Sequence, residues 1–245
     1  LGVLGGMGPL ATVDFLKKLI EETPATRDED HIPVVAWSVP QIPSRPAAIT
    51  GDGASPLPAM LAGIQTLKTA GAVALAIPCN TAHHWYDEMV RKGGLPIIHI
   101  ADAALAELEA RRIGGTVVGL IATTGTLAAG FFQQRLTDRG YRHITNSDAD
   151  IDTLVLPAIV HVKRNELDAA AALLETAVGR LVADGASGVI LACTETPVVL
   201  DRLPPALAAQ CVDATRALAK ACVKWWRENQ GGGLRSQDSG LRTED

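Results

Sequence analysis

Short apolar, β-branched runs recur along the chain at residues 1–4, 34–39, 73–77, 97–100, 117–122 and 188–192, with a weaker one at 210–212. Between them apolar positions return at helical spacing, as in residues 12–22, 57–70, 101–112, 131–139, 168–184 and 214–228. Strands that are apolar without alternation are covered on both faces. The pattern therefore predicts an α/β protein built from doubly wound parallel sheets.

The pattern also repeats. GVLGGMGPL at residues 2–10 and GLIATTGTL at residues 119–127 agree at both ends and at an inner glycine, Gly8 against Gly125. Cys79 follows Gly8 by 71 residues and Cys193 follows Gly125 by 68. Gly71 precedes Cys79, and Gly185 precedes Cys193, by the same eight residues. Twenty residues after each cysteine a short strand ends in a polar residue, His99 or Asp213, and an Ala-rich helix follows. Two similar halves are expected: residues 1–98 joined by 212–230, and residues 99–211. The last helix would cross back onto the first half. Ligands of open α/β sheets collect at the carboxyl ends of strands, so one site is expected between the halves. Residues 231–245, GGGLRSQDSGLRTED, have no apolar periodicity and are expected to form a mobile tail.

Composition narrows the class. With 245 residues, 47% of them hydrophobic, the chain can bury a sizeable core. A net charge of −5 without a basic block argues against nucleic acid or an anionic membrane surface as partner. No apolar run approaches the ~18 residues of a membrane span, and no signal peptide is visible. Leu1 already lies inside a strand-like run, so the natural chain is expected to begin a few residues earlier. Four cysteines without close pairing suit a reducing cytoplasm better than a disulfide scaffold.

The chemistry concentrates at two of those cysteines. A thiol between a strand end and a helix start lies near unpaired N–H groups and a positive dipole end, both of which favour thiolate. A single buried cysteine is ordinarily a small apolar side chain. Two at matching points of a repeat, followed by Asn80-Thr81 and by Thr194-Glu195, point to a functional pair. Cys211 and Cys222 lack this setting and read as packing residues. Thr123, with Thr124 and Thr126 of the same turn, offers further hydroxyls, equally readable as turn and cap residues. His83 and His84 are read mainly as helix packing, and His31, His99, His143 and His161 show no metal-ligand spacing. The first glycine loop departs from GxGxxG. No metal and no cofactor are expected.

Gly5-Gly6-Met7-Gly8-Pro9, Pro78-Cys79-Asn80-Thr81-Ala82-His83 and Ala192-Cys193-Thr194-Glu195 together resemble the aspartate/glutamate racemase family, the cofactor-independent amino-acid racemases. The resemblance runs from the first residue to about Trp226. It implies that Cys79 and Cys193 flank a substrate α-carbon, one thiolate removing its proton while the opposite thiol supplies one to the other face. Residue chemistry agrees, since inverting a tetrahedral carbon by proton transfer needs a base on one face and an acid on the other. Met7, Gly8, Asn80, Thr81, Thr123, Thr194 and Glu195 make up the expected substrate contacts around the α-carbon groups. Arg45 and Lys163 fall 37 and 38 residues after the two matched glycines. Taken alone they read as surface charges; by resemblance they surround the side-chain carboxylate of an acidic amino acid. The resemblance also makes a homodimer a candidate partner. Hydantoin racemase or maleate isomerase chemistry remains open, as does a catalytically silent anion-binding protein.

Overall fold

The computed structural model describes residues 1–113 and 115–229; the expected tail at 231–245 lies outside the described residues. Among the described residues eight parallel strands form two four-stranded sheets. The first holds β1 (Gly2–Gly5), β2 (Val35–Ser38), β3 (Leu75–Ala76) and β4 (Ile97–Ile98) in the order β2-β1-β3-β4. The second holds β5 (Val117–Ile121), β6 (Arg142–Thr145), β7 (Gly188–Leu191) and β8 (Cys211–Asp213) in the order β6-β5-β7-β8. The internal repeat is thus a repeat of topology, and the α/β class expected from the pattern is the one observed. β1, β5 and β7 are almost wholly buried, as their unbroken apolar runs require.

Val212 and Asp213 pair with β7, so strand pairing carries the second sheet two residues past the division expected at 211/212. The helices that follow β4 and β8 each cross over. Ile100–Ala110 packs on β7, β8 and the helix Phe131–Asp138, whereas Ala214–Asn229 packs on the helix Pro9–Glu22 and on β4. A continuous core results, in which Val3, Phe15 and Leu218 share one cluster with Val118 and Ile190 of the second sheet. Separate apolar clusters back the outer faces, one holding Cys79 and the other Cys193. Buried Lys18 bonds Asp14 at 2.5 Å and Asp213 at 2.7 Å, joining the first helix to the end of β8.

The first glycine turn leaves β1 under tight constraint. Gly6 has φ +88°, and a Cβ there would lie 2.4 Å from the Val39 nitrogen, so any side chain would collide with backbone. Thr12 ties the turn to the helix by accepting from the Gly6 N–H at 2.9 Å.

Candidate active site

β3 ends two residues short of Pro78, and Cys79 then leads into a 3₁₀ turn, Thr81–Trp85. In the second sheet β7 ends at Leu191, and Cys193 precedes the 3₁₀ turn Thr196–Arg202. Both strand ends open on one cavity of about 340 Å³ between the halves. Its lining includes Met7, Arg45, Asn80, Thr81, Thr123, Lys163, Thr194 and Glu195 as well as both sulfurs. Gly8, expected among the substrate contacts, is not one of the lining residues; it stands beside one of them, since a Cβ there would come within 3.2 Å of Glu195 Oε1. The halves reach across to each other: Gly8 sits against Glu195, two residues after Cys193, and Gly125 sits against Pro46 and then Thr81, two residues after Cys79.

Each sulfur has its own electrostatic neighbour. Arg45 shares the cavity with Cys79 and places its positive charge near that sulfur. Burial pushes the Cys79 thiol up, while Arg45 opposes that shift. Cys193 Sγ donates to Glu195 Oε2 at 3.1 Å, and burial reinforced by that carboxylate pushes its thiol well above the ordinary range. Arg45 begins the short helix Arg45–Thr50, and its Nη1 donates to the carbonyls of Ile42 and Pro43, both at 3.0 Å. Its Nε is buried without a protein partner. Lys163 closes the helix Leu156–Lys163 at the exposed rim of the cavity.

Asn80 is 2% exposed, yet neither Oδ1 nor Nδ2 has a hydrogen-bond partner. An unpaired buried amide costs about 1–3 kcal/mol per group, so this side chain is set to receive a ligand that both donates and accepts. Thr81 Oγ1 meets Thr126 Oγ1 at 3.0 Å, and Thr126 meets Thr123 Oγ1 at 3.2 Å. This hydroxyl chain joins the turn after Cys79 to the second glycine turn. Thr126, one of three hydroxyls in ATTGT, is its buried centre.

His83 does not serve a sulfur. Its Nε2 accepts from the Ile100 N–H at 3.3 Å, which leaves the proton on Nδ1 to donate to the Cys79 carbonyl at 2.9 Å. Burial lowers its pKa to about 4. His99 Nδ1 accepts from the Ala101 N–H at 3.1 Å and caps the crossing helix. His84 is exposed. Sequence reasoning missed the cavity walls supplied by Ile42, Ile159, Pro40 and Pro46. The Pro-rich loop after β2 was the available signal for three of these; nothing marked Ile159. A hollow of about 400 Å³ at the opposite end of the first sheet, between Val34, Val73 and Trp226, offers no acid, base or thiol side chain. Among the described residues no helix is long and apolar enough to cross a membrane, and no cluster of three or more His, Cys, Asp or Glu could hold a metal ion.

The Asp/Glu/Hydantoin racemase family model matches residues 4–222. The chain belongs to this family, a family of isomerases. It is similar to a broad specificity amino-acid racemase of Bacillus subtilis, 27% identical over 91% of this chain and 96% of that protein. The aspartate racemase of Picrophilus torridus superposes with a TM-score of 0.80 at 30% identity, covering 92% of this chain and 93% of that one. A glutamate racemase of Francisella tularensis in complex with D-glutamate shares the fold at a TM-score of 0.68 and 15% identity, over 93% and 81% of the two chains.

Proposed function

We propose that the protein racemises an acidic amino acid, aspartate before glutamate, by two-base proton transfer between Cys79 and Cys193. The observation that carries this reading is that the matched cysteines of the two halves open on one cavity beside an unpartnered amide and a fixed guanidinium. The catalytic unit is taken to be two α/β halves closing on substrate, with residues 1–98 and the last helix forming the first. The similarity to an aspartate racemase supports the preference for the shorter side chain.

In this mechanism the amino acid lies with its α-carbon between the sulfurs. Asn80 Nδ2 donates to the α-carboxylate and Oδ1 accepts from the α-ammonium, satisfying both orphaned atoms. Maleate has no ammonium and would leave Oδ1 unpaired, which favours the amino acid over the isomerase alternative. Hydroxyls of Thr81, Thr123 and Thr194 surround the carboxylate and stabilise the charge that grows on it as the proton leaves. Met7 lines the cavity on the first-half side, with Gly8 next to it beside Glu195. The distal carboxylate needs a cation once water is excluded. Arg45 presents Nε from a fixed stem, and Lys163 reaches in from the rim. One thiolate takes the α-proton and the opposite thiol protonates the other face, so no electrons change owner and no cofactor is called for. Glu195 accepts a hydrogen bond from Cys193 and so orients that thiol in the cavity.

Incubation with L-aspartate, L-glutamate and L-alanine, followed by chiral chromatography, tests the assignment. In D₂O the enantiomer produced should carry deuterium at Cα. Product from alanine alone, or none from any amino acid, would overturn it.

A further inference from the structure

We infer that the two thiols are unequal by construction, so that Cys79 is the first to lose its proton and Cys193 keeps its own. The inference rests on the two-thiol reading above and adds a direction to it. Cys193 has a carboxylate oxygen 3.1 Å from its sulfur, whereas Cys79 has no such anion bonded to it and shares the cavity with the Arg45 guanidinium. Arg45 cannot move away easily, because Nη1 is pinned by two carbonyls. Glu195 is buried and held at the cavity wall beside Gly8.

The other groups facing the sulfurs do not reverse this order. Lys163 enters from the exposed rim, and His83, bonded through the Cys79 carbonyl, is neutral above about pH 4. A negative charge shared between the two sulfurs therefore settles beside the cation and away from the anion. The first-formed reactive state is Cys79 thiolate with Cys193 thiol. It accepts the enantiomer whose α-hydrogen faces Cys79. After transfer Cys79 is the thiol and Cys193 the thiolate, and resetting requires one proton lost from Cys79 and one gained by Cys193. Glu195 raises the proton affinity of Cys193 and so favours that return.

Alkylation reads the order directly, since iodoacetamide reacts with thiolate. Both cysteines are equally exposed, at 6%, so access does not bias the comparison. The full chain is treated with limiting iodoacetamide from pH 6 to 10, and each cysteine peptide is quantified by mass spectrometry. Cys79 should react faster than Cys193 near neutral pH, by about tenfold or more, since the thiolate is the reacting form. Its half-maximal rate should fall at the lower pH. Glu195→Gln should shrink the difference by bringing Cys193 down, and Arg45→Gln should shrink it by bringing Cys79 up. Equal rates, or Cys193 reacting first, in an enzyme that still racemises aspartate would overturn the order while leaving the two-thiol reaction standing. Absence of racemisation from the same preparation would instead remove the reaction on which it rests.

Discussion

Replacing Arg45 by leucine isolates the recognition of the substrate's second carboxylate. The stem is held by the Ile42 and Pro43 carbonyls, and Nε remains unbonded in the wall of the cavity. A hydrogen bond to a charged partner contributes about 1.5–3 kcal/mol, or roughly ten- to a hundredfold in kcat/KM. Leucine removes it and leaves an apolar wall that a carboxylate would have to face unpaired. The same variant also loses the cation beside Cys79, and that loss falls on every substrate alike. The informative quantity is therefore the ratio of losses. Aspartate should lose roughly ten- to a hundredfold more than alanine, with glutamate nearer to aspartate. Arg45→Lys should recover only part, since an ammonium cannot reproduce the planar fork that bonds two carbonyls and a ligand together. Steady-state kcat/KM for the three amino acids measures this. Equal losses would mean that Arg45 acts on the thiol or the fold, and its role as the side-chain ligand would be refuted.

Cys79→Ala and Cys193→Ala should each lower racemisation in both directions by at least the ~10²–10⁴-fold of one general acid or base, and near wild-type turnover in either would make that thiol structural. Asn80→Leu should raise KM for aspartate at least about tenfold without destabilising the apo protein, because both amide groups lack partners there; a lower Tm with unchanged KM would contradict it. Lys18→Met should cost about 3–5 kcal/mol in urea unfolding near pH 7 by leaving the Asp14 and Asp213 carboxylates buried without their cation, and a loss below about 1 kcal/mol would count against that reading. Acid should also weaken the fold through His83. Its folded pKa of about 4 lies below the unfolded 6.5, so the unfolded chain binds the proton first, and stability falls as pH drops from about 6.5 to about 4. The loss is on the order of 3 kcal/mol, and a flat urea midpoint across that window in wild type would refute it.

Much of the fold was legible because a strand buried on both faces must be apolar throughout. β6 was not: Arg142–Thr145 reads RHIT, and as an outer strand half open to solvent it needs no apolar run. The helical stretch from Asp148 to Lys163 shows a helical period only near its end, because acidic residues and Pro157 interrupt it; Ser147 caps its start by accepting from the Asp150 N–H. Strand ends are equally hard to read. The run at 73–77 pairs only through Leu75–Ala76, because the chain is already diverging toward the turn that carries Cys79.

At the site, what repeats was legible and what differs was not. The matched Gly8 and Gly125, and the cysteines that follow them, fix where two sulfurs emerge. Nothing in that spacing tells which sulfur meets a cation. Those neighbours come from the unmatched positions: Thr81 stands where Glu195 stands in the other half, and Arg45 lies in a proline-rich loop whereas Lys163 ends a helix. Thr81 turns its hydroxyl to Thr126, while Glu195 accepts a hydrogen bond from Cys193 Sγ. A symmetric backbone can invert a carbon from either face, but a single substrate orientation requires that the two walls differ. In the proposed reaction the departures from the repeat supply that difference, because the Glu195 carboxylate comes from the half that carries Cys193 while the Asn80 amide and the Arg45 guanidinium come from the half that carries Cys79.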